Sequence, residues 1–254
     1  MHVNGTAAVI TGGTSGLGLA AAQRLVATGT QVVLLGRDPQ RARDACALLG
    51  KLAHFVPGDV TSAEDVEAAI AAAEGLGRFT AAVNCAGVAR SAKVLNRDRR
   101  PLAMTEFDYI VRVNLLGTFN LVRLAAEAMS GNEPVDGERG VIVCTSSIAA
   151  FDGQQGQAAY AASKAGIVGM TLPLARDLAR HAIRIVTVAP GLFDTPMFGQ
   201  LGQDARDALV ASTPHPKRLG RPDEFGALVA HIVENTMLNG EVIRIDGANR
   251  LGFA

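Results

Sequence analysis

The sequence predicts an α/β fold: one parallel sheet covered by helices on both faces. Three observations predict it. Short apolar runs alternate with longer helical patterns along the 254 residues. Those runs are apolar throughout, as strands with two buried faces must be. The strand–helix–strand order calls for parallel pairing through right-handed crossovers.

Taken in order, Thr6–Thr11 reads as the first strand, followed by a glycine-rich turn and a helical stretch over Leu17–Ala27. Gln31–Leu35 reads as the second strand. Asp38-Pro39 then opens a helix, with Asp as N-cap and Pro as first helical residue. Leu52–Val56, Thr80–Asn84, Gly140–Thr145, Ile183–Ala189 and Glu241–Ile245 read as the remaining strands. Helical patterns lie at Ala63–Glu74, Glu106–Met129, Ala158–Arg180, Arg206–Ala211 and Asp223–Glu234. Ala89–Thr105 and Ser130–Gly140 read as surface loops. With no linker, repeat or low-complexity stretch, residues 1–254 read as a single domain, and 190–220 as its substrate lid region.

Composition narrows the function. Lys+Arg and Asp+Glu number 24 each, so the formal net charge is zero. That argues against a nucleic-acid partner, because such binding rests on excess cations facing phosphates. Three cysteines (Cys46, Cys85, Cys144) are too few and scattered for a disulfide framework or a zinc site, and suit a reducing compartment. The five histidines show no metal-ligand spacing, and His231 reads as a packed or surface side chain. No apolar run reaches the ~18 residues of a membrane span. Met1–Gly5 is too short for a leader peptide before the first strand. A soluble cytoplasmic protein without metal is expected.

Gly12, Gly16 and Gly18 lie where the first strand becomes the first helix. Glycines there let backbone approach a phosphate, and the helix N-terminus offers free N–H groups to a pyrophosphate. The end of the second strand selects between cofactors. An acidic residue binds the ribose 2′-OH, whereas an Arg accepts a 2′-phosphate. Here Gly36-Arg37-Asp38 stands at that point. Arg37, with Arg41 and Arg43 as possible helpers, favours NADP(H). The other reading, NAD(H), has Asp38 on the ribose and Arg37 as a solvated charge, although Asp38 is also a good N-cap.

Tyr160 and Lys164 stand four residues apart in a helical pattern, so phenol and ammonium project side by side. A free phenol titrates near ~10, and a close cation lowers that value. A drop of roughly three units needs about 4 kcal/mol, more than one exposed ion pair gives. A nicotinamide's charge and a partly dry site would have to supply the remainder. Ser147, at the carboxyl end of the strand Gly140–Thr145, faces the same crevice.

Thr11-Gly12-x-x-x-Gly16-x-Gly18, Asn84-Cys85-Ala86-Gly87, Asn114, Ser147, Tyr160-x-x-x-Lys164 and Pro190-Gly191 together resemble the short-chain dehydrogenase/reductase family across essentially the whole chain. The resemblance implies a single Rossmann-type doubly wound domain with a seven-stranded parallel sheet flanked by helices. It implies a proton-transfer tetrad at Asn114, Ser147, Tyr160 and Lys164. Tyr160 would be the acid/base. Lys164 would lower its pKa and hold the nicotinamide ribose. Ser147 would orient the substrate, and Asn114 would anchor a relay water.

Asn132-Glu-Pro134, Gly156-Gln-Ala-Ala-Tyr160, Gly166-Ile-Val-Gly-Met-Thr-Leu-Pro173 and Asn239-Gly-Glu-Val-Ile-Arg244 are further similar to one group in that family, the type 2 3-hydroxyacyl-CoA dehydrogenases, also described as 17β-hydroxysteroid dehydrogenase type 10. This likeness implies an acyl-thioester or steroid-like alcohol/ketone substrate, fatty acid metabolism, NAD and a homotetramer. It also implies cofactor contacts at Ser15, Leu17, Asp59, Val60, Cys85, Phe193 and Thr195, with Ala86, Gly87 and Pro190 from the shared motifs. The group's acidic residue at the end of the second strand is replaced by Gly36.

Substrate-side residues are less sharply marked. Leu192, Phe193, Met197, Phe198 and Leu201 read as a mobile lid or as ordinary packing. Gln154 and Gln157 either bond a substrate carbonyl or cap a loop. Arg90, Lys93, Arg97, Arg99 and Arg100 face one acid, Asp98, and form either a coenzyme A phosphate contact or a solvated basic loop. Gly166 and Gly169 thin one face of the Tyr160 helix for the approach of another helix.

Overall fold

The structure is a computed structural model in which residues 4–196, 207 and 209–253 are described. Its strands are β1 (Thr6–Thr11), β2 (Gln31–Gly36), β3 (Ala53–Pro57), β4 (Arg78–Asn84), β5 (Gly140–Thr145), β6 (Ile183–Pro190) and β7 (Val242–Ile245). They form one seven-stranded sheet in the order β3-β2-β1-β4-β5-β6-β7, parallel at every pair. The helices are α1 (Gly16–Ala27), α2 (Pro39–Leu49), α3 (Ala63–Leu76), α4 (Met104–Val111), α5 (Gly117–Ser130), α6 (Ala158–Ala179) and α7 (Pro222–Glu234). Strand order reverses between β1 and β4, which opens a crevice at the carboxyl ends of the strands.

Successive strand residues serve opposite faces, which is why whole strands are apolar. Ala8 and Ile10 pack with Leu25 of α1, Leu49 of α2 and Phe225 of α7. Ala7 and Val9 pack with Ile70 of α3, Leu121 of α5 and Ile167 of α6. Each such fully buried Leu, Ile or Phe contributes about 1.5–3 kcal/mol.

Several boundaries move for physical reasons. Gly50, at φ +79, ends α2, and Gly50–Leu52 tighten into a 3₁₀ turn. The third strand therefore starts at Ala53, not Leu52. The helical pattern over Glu106–Met129 is broken by a π-turn at Arg112–Leu116, with the buried Asn114 inside it. Met104 and Thr105, expected in the preceding loop, already belong to α4. The loop itself is an ordered hairpin, bridged between Leu95 and Pro101.

Ser130–Gly140 is less exposed than expected. Glu138 is 7% exposed and ion-paired with Arg184 of β6. Of the helix expected at Arg206–Ala211, residues 207 and 209–211 are helical, and 206 and 208 lie outside the described residues. Met197, Phe198 and Leu201 of the expected lid also lie outside them. Gly166 admits the side chain of Leu115, which a Cβ would meet at 2.8 Å, so this approach is within the chain; Gly169 faces open space. His231 is an exposed side chain, bonded to Asn235 at 3.1 Å. Among the described residues no helix is long and apolar enough to cross a membrane, and no group of three potential metal ligands forms.

Candidate active site

The glycine turn closes on its neighbours. A Cβ on Gly12, at φ +65, would lie 2.8 Å from the Ala86 nitrogen. A Cβ on Gly18 would lie 2.4 Å from the Gly12 carbonyl oxygen. Only glycine fits either place. The N-cap of α1 is Ser15, whose side chain makes no capping bond, and the first turn of the helix has no acid. By contrast α2 is capped by Asp38 and α3 by Ser62. The N–H groups and positive dipole end of α1 are thus left for an anion, and the cradle fits a dinucleotide pyrophosphate. Thr195 stands at its mouth, 3.6 Å from a Cβ on Gly16. Leu17 packs against the core below.

On the adenosine side, Gly36 ends β2 and the exposed Arg37 reaches Asp59 at 3.7 Å. Asp38 is an N-cap, accepting from the Gln40 and Arg41 backbone N–H groups at 3.0 and 3.1 Å. Arg41 pairs with that same carboxylate at 3.3 Å, and Arg43 donates to Gln40. Asp38, Arg41 and Arg43 are therefore engaged with their own helix, whereas Arg37 is exposed and paired with Asp59, outside that helix. Asp59 accepts from the Thr61 hydroxyl at 2.8 Å. Val60 is buried, and a Cβ on Gly117 would meet it at 2.7 Å.

Three consecutive residues at the end of β5 face the start of α6. The Lys164 ammonium donates to the Thr145 carbonyl at 2.8 Å. The Ser146 hydroxyl donates to the Lys164 carbonyl at 2.8 Å. The Ser147 hydroxyl faces the Tyr160 phenol closely enough to oppose the rise of its pKa. Lys164 Nζ lies 5.9 Å from the Tyr160 ring centre. Sequence reasoning brought Ser147, Tyr160 and Lys164 together, and so does the fold.

The electrostatics differ from expectation. Burial drives the Lys164 amine down to about 8, against the pull of the Cys85 and Cys144 thiols. Burial also pushes the Tyr160 phenol above its usual value, against the pull of the Ser147 hydroxyl. The lowering expected from Lys164 is not seen in the chain alone. Its amine is itself desolvated and engaged by Thr145, so the cost of burying phenolate wins.

Asn114 is fully buried, and both of its side-chain N–H groups are taken. Its Nδ2 donates to the Val88 carbonyl at 2.9 Å and to Ser163 Oγ at 3.0 Å. Its Oδ1 accepts from the Val88 N–H at 2.8 Å. The amide therefore has no N–H left for the expected relay water. The Asn114 carbonyl, in the π-turn, accepts from Thr118 Oγ1 at 2.5 Å. Thr118 in turn accepts from Asn84, and Asn84 from Thr11, both at 2.7 Å. Thr11 also holds the Ala86 N–H at 3.2 Å. A buried chain thus links the phosphate turn to the π-turn.

Thr118, Ser146 and Ser163 were not found from sequence, and Thr11 was read only as the start of the glycine motif. Thr118, one helical turn beyond Asn114, carried the best available signal. Burial pushes Cys85 and Cys144 up to about 11 and about 12, so neither thiol is a nucleophile at neutral pH. A Cβ on Gly87 would lie 3.6 Å from Lys164 Nζ, so this glycine keeps the space beside the ammonium open.

On the substrate side, Gln157 Nε2 donates to Gln154 Oε1 at 3.3 Å and its Oε1 accepts from the Gln154 N–H at 3.2 Å. The two glutamines cap their own loop. Pro190 is buried at the end of β6. Phe193 is 4% exposed and its ring fills the space a Cβ on Gly220 would need, so its side chain is packing and not lid.

The family model for short chain dehydrogenase matches residues 6–206. The chain is 52% identical over 252 residues to 3-hydroxyacyl-CoA dehydrogenase type-2 of Bos taurus, covering 98% of this chain and 97% of that one. Identity to the Homo sapiens protein of the same name is also 52%, with the same coverage. A crystal structure of 3-hydroxyacyl-CoA dehydrogenase type-2 from Mycobacterium avium is similar with a TM-score of 0.95 at 42% identity, over 98% of this chain and 97% of that one. Such dehydrogenases exchange hydride with a nicotinamide cofactor on a small molecule. The chain belongs to the short-chain dehydrogenase family, and is an oxidoreductase acting on CH–OH groups.

Proposed function

We propose that this enzyme interconverts a 3-hydroxyacyl and a 3-oxoacyl thioester of coenzyme A, with Tyr160 as the acid/base. The observation that carries the proton role is the buried Lys164 amine, held by the Thr145 carbonyl and 5.9 Å from the Tyr160 ring centre, with Ser147 facing the phenol. Ser147 would hold the substrate oxygen where the phenol can reach it. Lys164, fixed by Thr145, would hold the ribose of the bound dinucleotide. The bound nicotinamide would supply hydride exchange at the carbinol carbon. Tyr160→Phe tests this: turnover should fall by about 10²–10⁴, the usual range for a lost acid/base. Cofactor binding, followed by fluorescence titration, should persist. Retained turnover would remove Tyr160 from the mechanism.

The substrate class is supported by the named relatives and by the hairpin. Arg90 is occupied: it pairs with Glu106 at 3.1 Å and stacks on Tyr109 at 4.5 Å. Lys93, Arg97, Arg99 and Arg100 are exposed and have no carboxylate partner within the described residues. Asn96 Oδ1 fixes the tip by accepting from the Asp98 and Arg100 N–H groups, both at 2.9 Å. A rigid tip with free guanidinium groups suits the phosphates of coenzyme A. Reversing the charges of Arg97, Arg99 and Arg100 should raise KM for acyl-CoA and spare small ketones. Equal effects on both would remove the contact.

A second reading, reduction of 3-oxoacyl groups with NADPH, is favoured by Gly36 and Arg37. A homotetramer is also proposed, since Leu116, Phe119 and Leu172 stand exposed on α5, its preceding turn and α6. Light scattering coupled to size exclusion tests the subunit number.

A further inference from the structure

Ser163 sits one residue before Lys164 and is fully buried. Its hydroxyl donates to the Tyr160 carbonyl at 2.7 Å, the ordinary back-bond of a helical serine. The second bond is not local. The same oxygen accepts from Asn114 Nδ2, across 49 residues, at 3.0 Å. Asn114 spends its other N–H and its Oδ1 on the Val88 backbone. Breaking any of these buried bonds leaves an orphan polar group without water to replace its partner. The Asn114 side chain therefore acts through what it holds.

What it holds is a spacing. The Gly87–Val88 backbone forms one wall of the crevice: a Cβ on Gly87 would lie 3.1 Å from Asn114 Oδ1 and 3.6 Å from Lys164 Nζ. The first turn of α6, carrying Tyr160, forms the other wall. The bonds Val88–Asn114–Ser163–Tyr160 run from one wall to the other, and each member is wholly or partly buried.

We propose that Ser163 is a positioning residue: through Asn114 it sets the distance between the Tyr160 turn and the Gly87–Val88 edge, and so places the phenol for proton transfer. The inference rests on the reading of Tyr160 as acid/base. A misplacement of about 1 Å from a change outside the chemistry is enough to cost up to about 10²-fold in rate.

The test compares Ser163→Ala with Ser163→Thr in the full chain. In Ser163→Ala, kcat should fall about tenfold or more, while KM for cofactor and the NADPH dissociation constant stay within about twofold. The groups facing Tyr160 are Ser147 from the end of β5 and Lys164 from α6. Cys85 and Cys144 face Lys164 in turn. None is altered, so a shifted kcat–pH profile means that Tyr160 has moved among them. Threonine makes the same bond to a carbonyl three residues back, and should restore kcat to within about threefold. Hydrogen exchange at the Val88 amide, which donates to Asn114, should quicken in Ser163→Ala. If the alanine variant does not fold, Ser163→Cys, a weaker donor, should give an intermediate kcat and profile. Wild-type kcat, pH profile and Val88 protection in the altered protein would overturn the proposal. So would a loss that threonine leaves unrepaired while both variants lose stability equally. Turnover surviving in Tyr160→Phe would instead bring down the underlying reading.

Discussion

On the proposed NADPH reading, cofactor choice would turn on two adjacent positions at the end of β2. Removing the Arg37 guanidinium should cost NADPH one charge-assisted contact. Such bonds contribute about 1.5–3 kcal/mol. Arg37 is 65% exposed on its side chain, so the low end applies. Releasing it from Asp59 costs little, since an exposed pair is worth about 0–1 kcal/mol. Arg37→Ala should therefore weaken NADPH about tenfold and leave NADH unchanged. Gly36→Asp is the converse. A Cβ there would meet Thr14 at 3.5 Å, an ordinary contact, so the side chain fits. A carboxylate roughly 4 Å from a 2′-phosphate costs about 4 kcal/mol at an effective dielectric of 20, and about half that once solvent screening is counted. NADPH should weaken about 30-fold. NADH should gain one bond to its ribose, about 1 kcal/mol or fivefold. Fluorescence titration with the two reduced cofactors measures all three proteins directly. A wild type that prefers NADH, or an Arg37→Ala that weakens both cofactors equally, would refute the reasoning.

Three further outcomes follow from the buried charges. Lys164→Met should stabilise the fold by about 2 kcal/mol at neutral pH, because a shift from 10.5 to about 8 marks a burial cost of about 3 kcal/mol, less roughly 1 for the lost bond to Thr145. Below pH 8 the ammonium is present in both states and the cost is complete; between about 8 and 10.5 the unfolded chain holds more protons, wild-type stability rises and the gain fades. Urea melts across that range check the sign. The chain has two tyrosines and no tryptophan, so in a Tyr109→Phe background phenolate absorbance reports Tyr160 alone. Without cofactor it should titrate above 10.0, and a lower midpoint would contradict the burial argument. Arg184→Met should cost about 3–5 kcal/mol by stranding Glu138. Adding Glu138→Leu should recover part of it, and a single variant as stable as wild type in urea would exclude the role.

What was legible in the sequence was what local physics decides. Asp38-Pro39 announces a cap because the carboxylate and the ring act on their own turn. The glycines around Gly12 announce a close approach because no other residue allows it. The apolar strands announce a two-sided sheet. What was not legible depends on partners far along the chain. Nothing in the predicted strand Ile183–Ala189 tells that its Arg184 lies beside Glu138 and the α7 carbonyls of Ile232 and Val233. Leu52 reads as strand until Gly50 turns the chain first. Lys164 reads as the cation that acidifies Tyr160 until burial is counted.

That last difference bears on how the site works. In the chain alone, burial raises the phenol and lowers the amine, so both are driven toward their neutral forms. A site that kept phenolate and ammonium permanently charged would carry two desolvation costs while idle. Here the chain supplies position: Thr145 and Ser146 fix Lys164 of α6 at both its ammonium and its carbonyl, and Asn114 and Ser163 tie the helix to Val88. Position costs nothing further when substrate arrives, because the buried bonds are already made. The charge that favours phenolate must then come with what binds in the crevice. The division of labour also gives Ser146 and Ser163, which donate to backbone carbonyls, a reason to be buried beside Tyr160 and Lys164, the residues proposed to do the chemistry.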